Sequence, residues 1–458
     1  MENLPENQRK GWKFWLAFWL LAAIFLFSWF VFLQIKYHKI ENLKPIAEIL
    51  PLKNQQKNEL EVLADIYQKM GGYDSEKTFL VLFQNNLELR PGGGFIGSFG
   101  IMKIKNGKLS DLQVHDTGIF DSRVPNSETP PAPLADILGI KSWKMRDSNW
   151  SPDFATDAKE AERFYKLGQG QENFDGIISL NSNVLNSFLA IGGPVRIDGY
   201  PGEFNDQSGI LSLEYQVEKG FEEQGIEKGA RKDIMKDLAI VLEAKARNFS
   251  LVQQLELARK IEEHLVKKDI QLFFKDQDLQ KDIENINWGG RVQKSDGDYL
   301  MVVDANLNSL KSDFCIKRKI DYNVDLSGDA PTAILNITYE HTCRAKDWMT
   351  TDYRDWLRVY APAGSSLDEA TGQNGDAQPA EELGKKVFGM KVFVPVGQTK
   401  TVTLKYKLPD LARNNPYKLL VQKQSGSGEL PFSVSLRKTD KSEASAEETL
   451  TGDRNFSF

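Results

Sequence analysis

The sequence predicts a layered α/β (α+β) domain followed by a C-terminal antiparallel β-sandwich, both carried behind one N-terminal transmembrane helix. Three observations predict it. Phe14 to Leu33, FWLAFWLLAAIFLFSWFVFL, is a run of twenty residues without a charge. From Lys77 to about residue 286, strand-like and helix-like segments are mixed, as in a layered α/β domain. From about Asp296, short alternating segments follow one another with turn residues between them, as in a sandwich.

At about 1.5 Å per residue the uncharged run spans roughly 30 Å, the thickness of a bilayer's hydrocarbon. Trp12, Trp15 and Trp29 stand towards its ends, where interfacial aromatics sit. It is too long for a signal-peptide core and no small-x-small site follows, so it reads as a single-pass anchor at 14–33 behind a tail at 1–13. Arg9, Lys10 and Lys13 precede it and Lys36, Lys39 and Lys44 follow it, which leaves the positive-inside count near a tie. The short N-terminal tail and the two cysteines favour a cytoplasmic N-terminus and an extracytoplasmic body. Cys315 and Cys343 both lie in strand-like sequence, FCIKRKIDYNV and ILNITYEHTC. Either they pair across neighbouring strands, which needs an oxidising compartment, or they are two buried thiols in a cytosolic body.

Residues 34–72 read as a stalk or docking helix. Ile49, Leu52, Leu60, Val62, Leu63, Ile66 and Met70 keep helical spacing up to the stop at Gly71-Gly72. The α/β domain covers 73–290. TFLVLFQN is apolar throughout, as a central strand is, and IGSFGIMKIKNGKLSDLQVHD alternates around Asn106-Gly107, a two-residue hairpin signal. Residues 122–136 read as an exposed loop, and Thr156 to Leu167 as a helix. FDGIISL is a short strand, SNVLNSFLAIGG a short helix, and 211–286 mostly helical. The sandwich covers 291–440 with eight strands, from YLMVVDANL to FSVSL. Residues 441–458 are polar and read as a flexible tail.

Composition is globular, with 41% hydrophobic and 27% charged residues, and a net charge of −6 argues against a nucleic-acid partner. The stretch LRPGGGFIGSFG contains a G-x-G-x-x-G at Gly92, Gly94 and Gly97. A dinucleotide site needs a helix after that turn, but two more glycines and strand alternation follow. The turn therefore reads as a tight return between strands, which either offers N–H groups, Gly93 and Gly94 among them, to an anion beside Arg90, or binds nothing. There is no Walker loop, H-E-x-x-H or G-x-S-x-G, and the four histidines are scattered. Charged residues gather at the expected sheet ends: Glu88 and Arg90, His115 and Asp116, the loop Arg146-Asp147-Ser-Asn149-Trp-Ser-Pro-Asp153, and Arg231-Lys232. Arginines suit a pyrophosphate and carboxylates its magnesium; salt bridges and caps are the plainer alternative.

LVLFQNNLELRPGGGFIGSFG, RDSNWSPDF, FDGIISLNSNVL with GGPVRI, and DYRDWLRVYAPAGSSL resemble a membrane-anchored bacterial family, domain of unknown function 4012. The order of motifs is also similar, more remotely, to the LytR-CpsA-Psr family, extracytoplasmic phosphotransferases that move glycopolymers from polyprenyl-pyrophosphate carriers. Glu88-Leu-Arg90, His115-Asp116-Thr117, Gly192-Gly193-Pro194-Val195 and Gly229-Ala-Arg231-Lys232 carry that likeness. Glu88 stands where that family has aspartate, and His115 where it has arginine. The resemblance implies Arg90 and Arg231 as pyrophosphate-holding residues and Asp116 for magnesium; as an enzyme the chain would add Arg146 to the first and Asp147, as an alternative, to the second. Glu88, Gly93, Gly94, Asn149, Asp153 and Lys232 would then complete the ligand site. The expected function is binding or transfer of a polyprenyl-linked phosphate or cell-wall polymer at the outer face of the cell membrane. The alternative is a non-catalytic envelope protein whose sandwich serves assembly or adhesion.

Overall fold

The computed structural model describes residues 54–413 and 416–458. The expected span at 14–33 lies outside the described residues, and among those described no helix is long and apolar enough to cross a membrane. The described residues form a mixed α/β fold with three sheets. They divide into two compact units, residues 54–77 with 103–110, and residues 78–102 with 111–458.

In the first unit, helix α1 (Asn54–Met70) ends where the Gly71 N–H donates to the Tyr67 carbonyl at 2.9 Å. Gly72 follows at φ +63°, a conformation that suits glycine. The hairpin tip at Asn106-Gly107 has positive φ at both residues, 53° and 70°, as a type I′ turn requires. Its two N–H groups donate to the Gly72 and Gly71 carbonyls at 3.1 and 2.6 Å. The helix end and the tip thus satisfy each other's backbone groups.

The second unit begins with a five-stranded sheet built from β1 (Lys77–Asn85), β2 (Phe95–Lys105), β3 (Lys108–Asp116), β4 (Gly176–Asn181) and β5 (Ile270–Phe274), ordered β3-β2-β1-β4-β5. β1 and β4 are parallel, and β5 is antiparallel to β4. Helix α2 (Phe154–Leu167) lies between β3 and β4 in the chain, capped by Asp153, whose side chain accepts from the Thr156 N–H. Its buried stripe of Phe154, Ala158, Ala161 and Phe164 keeps helical spacing and packs on Leu80, Leu82, Ile96, Phe99 and Ile177. The other face of the sheet meets α3 (Ser182–Gly192), α4 (Gly209–Tyr215), which runs into a π-helical turn at Gln216–Gly220, and α5 (Asp233–Ala246). α6 (Leu251–Lys267) and α7 (Gln277–Asn285) flank β5.

Two expectations are corrected in this unit. The segment IQLFF does not continue the helical run. Lys268 adopts φ +62° and closes α6, and the apolar run beyond it becomes β5. Within 122–136, the loop also starts a short helix, Ala132–Leu138, whose Leu134 is fully buried beside Ala305, Leu307 and Trp356.

The sandwich has two six-stranded sheets. One is ordered β10 (Ser366–Thr371), β13 (Thr399–Lys407), β8 (Thr332–His341), β7 (Ile316–Asp325), β15 (Leu430–Arg437), β16 (Glu443–Leu450). The other is β11 (Asn374–Glu382), β12 (Lys385–Val394), β9 (Tyr353–Ala361), β6 (Asp298–Val303), β14 (Lys418–Gln422), β17 (Arg454–Ser457). One continuous core joins them, with Tyr322, Leu335, Ile337 and Tyr406 from the first and Leu357, Val359, Phe388 and Met390 from the second. The sandwich is mixed rather than antiparallel, because β7 runs parallel to β15 and β6 parallel to β14. Inward–outward alternation, which is all the sequence shows, is the same for either direction. The flexible tail expected at 441–458 is instead β16 and β17. Ala444, Ala446 and Leu450 face inward at period two, and Phe456 and Phe458 pack on the core.

A disulfide joins Cys315, just before β7, to Cys343, just after β8, at a Cα separation of 5.5 Å. Closing a loop of 28 residues restricts the unfolded chain by roughly 3–4 kcal/mol. The double substitution Cys315→Ser, Cys343→Ser is therefore expected to lose about 3 kcal/mol in denaturant unfolding. The wild type in reductant should follow it. A loss below about 1 kcal/mol would show that the bridge does not hold the sandwich.

Asp298 is fully buried and accepts from Tyr322 and Tyr417 hydroxyls at 2.8 and 2.6 Å and from the Tyr299 N–H at 2.7 Å. Burial pushes its carboxyl up to about 6 against the pull of those donors. Because the folded pKa lies above the unfolded one, the group's contribution is full below about pH 4 and is lost as pH rises through 6. That contribution amounts to about 3 kcal/mol. Unfolding free energies measured from pH 4 to 7 should decline less steeply in Asp298→Asn than in wild type. Identical slopes would reject a protonated buried Asp298.

Candidate functional site

The glycine turn is occupied by the protein itself. A Cβ on Gly92 would lie 2.0 Å from the Asp157 carboxylate, one on Gly93 2.2 Å from Gln84, and one on Gly94 2.5 Å from the Asn85 backbone. Gly93 also sits at φ +132°. Two of the turn's N–H groups are engaged: Gly92 donates to Asn149 and Gly93 to Arg90, at 3.1 and 2.9 Å. The Asn149 side chain donates to the Gly94 carbonyl at 2.6 Å. The three glycines serve close packing.

Arg90, beside it, is buried at 2% exposure. Its guanidinium donates to Glu88 at 3.0 Å and Asp147 at 3.4 Å and lies over the Phe95 ring. Burial disfavours that charge, but Glu88 and Asp147 outweigh it and hold the pKa above its usual value. Arg146 pairs with Asp121 at 2.6 Å. Asp153 caps α2 and takes Arg291 at 3.2 Å. Asp116 caps the turn Thr117–Phe120 and pairs with Lys232 at 2.9 Å. The carboxylates expected to hold magnesium are thus each committed to a different cation, Asp116 to Lys232 and Asp147 to Arg90. They do not come together at one point. Among the described residues no cluster of three or more His, Cys, Asp or Glu could hold a metal ion.

Glu88, Arg231 and Lys232, by contrast, come together at a cavity of about 320 Å³. It lies between the sheet face formed by β1, β2 and β4 and helices α3, α4 and α5. Its walls are apolar: Phe83 and Leu180 from the sheet face Leu185, Phe188, Leu213 and Leu238 from the helices. A hydrophobic helix face turned towards a sheet normally closes on it as core; here it leaves space.

One part of the lining is charged. Lys311, from the loop after β6, pairs with Glu214 and Glu218 at 3.4 and 3.3 Å. Arg231 also reaches Glu218, at 3.1 Å. Burial alone would lower the Lys311 pKa, but Glu214, Glu218 and Glu88 more than offset this and keep it raised. Burial raises Glu214 and Glu88 above the usual carboxylate range despite their lysine and arginine neighbours. Glu218 falls below that range, since Lys311 and Arg231 outweigh its burial. Burial lowers Lys232 even with Asp116 beside it. The Lys232 ammonium also donates to the Gly97 carbonyl. Both signs of charge are present in equal measure, each cation resting on a carboxylate.

The residues missed by sequence reasoning are the apolar walls and Glu214, Glu218 and Lys311. Glu214 and Glu218 are four apart, across the start of the π-helical turn, a feature often found at functional sites. Their spacing could have marked them. Lys311 carries no local signal, because the fold alone brings it to the helices.

No curated protein matches the chain. Among solved structures, it is similar to the Lin1025 protein of Listeria innocua, at 13% identity and a TM-score of 0.27, over 47% of this chain and 79% of that one. It is also similar to the Legionella pneumophila protein lpg2210, named as a nutrient-binding candidate, at 12% identity and a TM-score of 0.20. That match covers 30% of this chain and only 54% of the Legionella protein's length. Likeness at these scores carries no argument about function. Residues 74–216, which hold the glycine turn, the Arg146–Asp153 loop and much of the cavity wall, match the family described as Protein of unknown function (DUF4012), and support membership of that family.

Proposed function

We propose that this protein binds an amphipathic lipid, with the chain in the apolar cavity and the polar head at its charged end. The observation that carries the reading is the cavity itself. At about 320 Å³ it falls in the range of small-molecule sites, and Phe83, Leu180, Leu185, Phe188, Leu213 and Leu238 give it apolar walls beside its charged residues, which suits a ligand with both a hydrocarbon part and a polar head. Arg231, Lys232 and Lys311 at one end would receive a phosphate, while Glu88, Glu214 and Glu218 accept from hydroxyls of an attached sugar. A polyprenyl-(pyro)phosphate-linked glycopolymer has this chemistry, and it is also the ligand class implied by the resemblance to LytR-CpsA-Psr proteins. The disulfide supports a body outside the cytoplasm, where such carriers are consumed. The protein would then be a membrane-anchored component of the bacterial cell envelope.

Binding is better supported than transfer. Phosphoryl transfer depends on cations positioned to take up developing charge, and here each cation is already neutralised by a carboxylate.

The test uses the full chain in nanodiscs, with farnesyl phosphate and farnesol as probes read by tryptophan fluorescence. Both should bind. Ala239→Trp, which fills the cavity, should weaken both by more than about tenfold. Arg231→Ala should weaken the phosphate alone, by roughly tenfold, the worth of one charge-assisted hydrogen bond. Failure of both probes to bind, or binding indifferent to Ala239→Trp, would remove the cavity as a lipid site.

A further inference from the structure

A second cavity, of about 250 Å³, lies away from the lipid site and is polar. It is formed by α3, the C-terminal end of α6 and the loop after β14. Its wall holds buried polar atoms that the fold leaves without partners.

Asp269 organises the wall. Its carboxylate accepts from the Asn181 and Asn183 side chains at 2.6 and 3.0 Å and meets His264 Nδ1 at 2.8 Å. Burial would raise the Asp269 pKa, but His264 and the two asparagines outweigh it and hold it below the usual range. An ionised carboxylate only accepts, so Nδ1 carries a proton, and in the neutral imidazole tautomer this fixes, Nε2 is the acceptor. That Nε2 is buried and has no hydrogen-bond partner, and the same holds for Asn186 Oδ1. Both His264 and Asn186 line the cavity. Lys423 lines it too, at 4% exposure, with one 3.2 Å hydrogen bond to the neighbouring Gln424 carbonyl. Burial pulls its ammonium down to about 8, with Asp269 pulling the other way.

Two acceptors without donors and one cation with a single weak acceptor are costly to bury, and packing gives no reason for their convergence. What they ask for is complementary. The acceptors His264 Nε2 and Asn186 Oδ1 call for an N–H-rich cation, with the Glu429 carboxylate on the same lining. Lys423 calls for an anionic oxygen.

We propose that this cavity binds a small zwitterion of the amino-acid type, its ammonium on His264 Nε2 and Asn186 Oδ1 and its carboxylate on Lys423. Acceptors and cation face one space of a size to hold both groups of one molecule. This site does not depend on the lipid reading.

The full chain in nanodiscs is titrated with D-alanine, L-alanine, lactate and inorganic phosphate, followed by thermal unfolding and by the NMR signals of the histidine rings. Either alanine should raise the unfolding midpoint by a few degrees and move one histidine signal, while lactate and phosphate do neither. Lys423→Met and Asn186→Leu should each weaken alanine by about tenfold or more. Asn186→Leu is the safer of the two, since this residue is only partly buried. Binding of lactate or phosphate in place of alanine would overturn the zwitterion assignment. No response to any probe would mean that the cavity holds water alone. A response unchanged in both variants would place the binding elsewhere.

Discussion

In the second unit, the α/β sheet and the sandwich are joined around one buried charge, Arg90. Its guanidinium is tied to Glu88 and Asp147 and also donates to the Asn306 carbonyl that follows β6. The surrounding backbone repeats the connection. The Leu89 N–H donates to Asp313 at 2.9 Å, the Asn306 N–H to the Leu89 carbonyl at 2.9 Å, and the Gln424 side chain to the Arg90 carbonyl at 3.0 Å. The α/β sheet and the sandwich are thus fastened at the turn that the three glycines make narrow enough. An arginine in such a position is tolerated only with its carboxylates in place, since a lone buried charge costs several kcal/mol.

That fastening explains what the sequence could and could not show. Elements with a strong local period were legible: β1 from its unbroken apolar run, the Asn106-Gly107 hairpin, α2 and α3, and eight strands of the sandwich. β10 and β11, SLDEAT and NGDAQPAEE, were not, because they are largely exposed edge segments with no hydrophobic alternation to read. β16 relied on alanines, which mark a face only weakly. Strand direction was illegible for a more basic reason, since parallel and antiparallel partners ask for the same alternation.

At the site, residue type was legible and pairing was not. Arg90, Arg146 and Arg231 are all arginines near strand or helix ends, yet only Arg231 reaches the cavity. Arg90 was absorbed by Glu88, two residues away, and by Asp147, brought in by the fold. Arg146 went to Asp121. An arginine reads the same in sequence whether it awaits a ligand or already has its carboxylate, and a partner distant in the chain leaves no trace beside it. The cavity was hidden for the complementary reason: apolar helix faces announce burial, and only packing decides whether burial closes or leaves space.

The two parallel strand pairs carry a consequence for the order in which the chain assembles. The antiparallel run β7-β8 and its neighbours joins segments close in sequence. The centre of each sheet joins distant ones: Ser433 and Asp321 are 112 residues apart, and Tyr417 and Asp298 are 119 apart. Contacts at such separations must overcome loop-closure entropy before any burial repays it. The sandwich therefore reaches its native topology late and slowly, with unpaired strand edges exposed meanwhile. The Cys315–Cys343 bridge falls within the early, local part, so oxidation can fix the β7-β8 hairpin before the distant strands arrive to complete it.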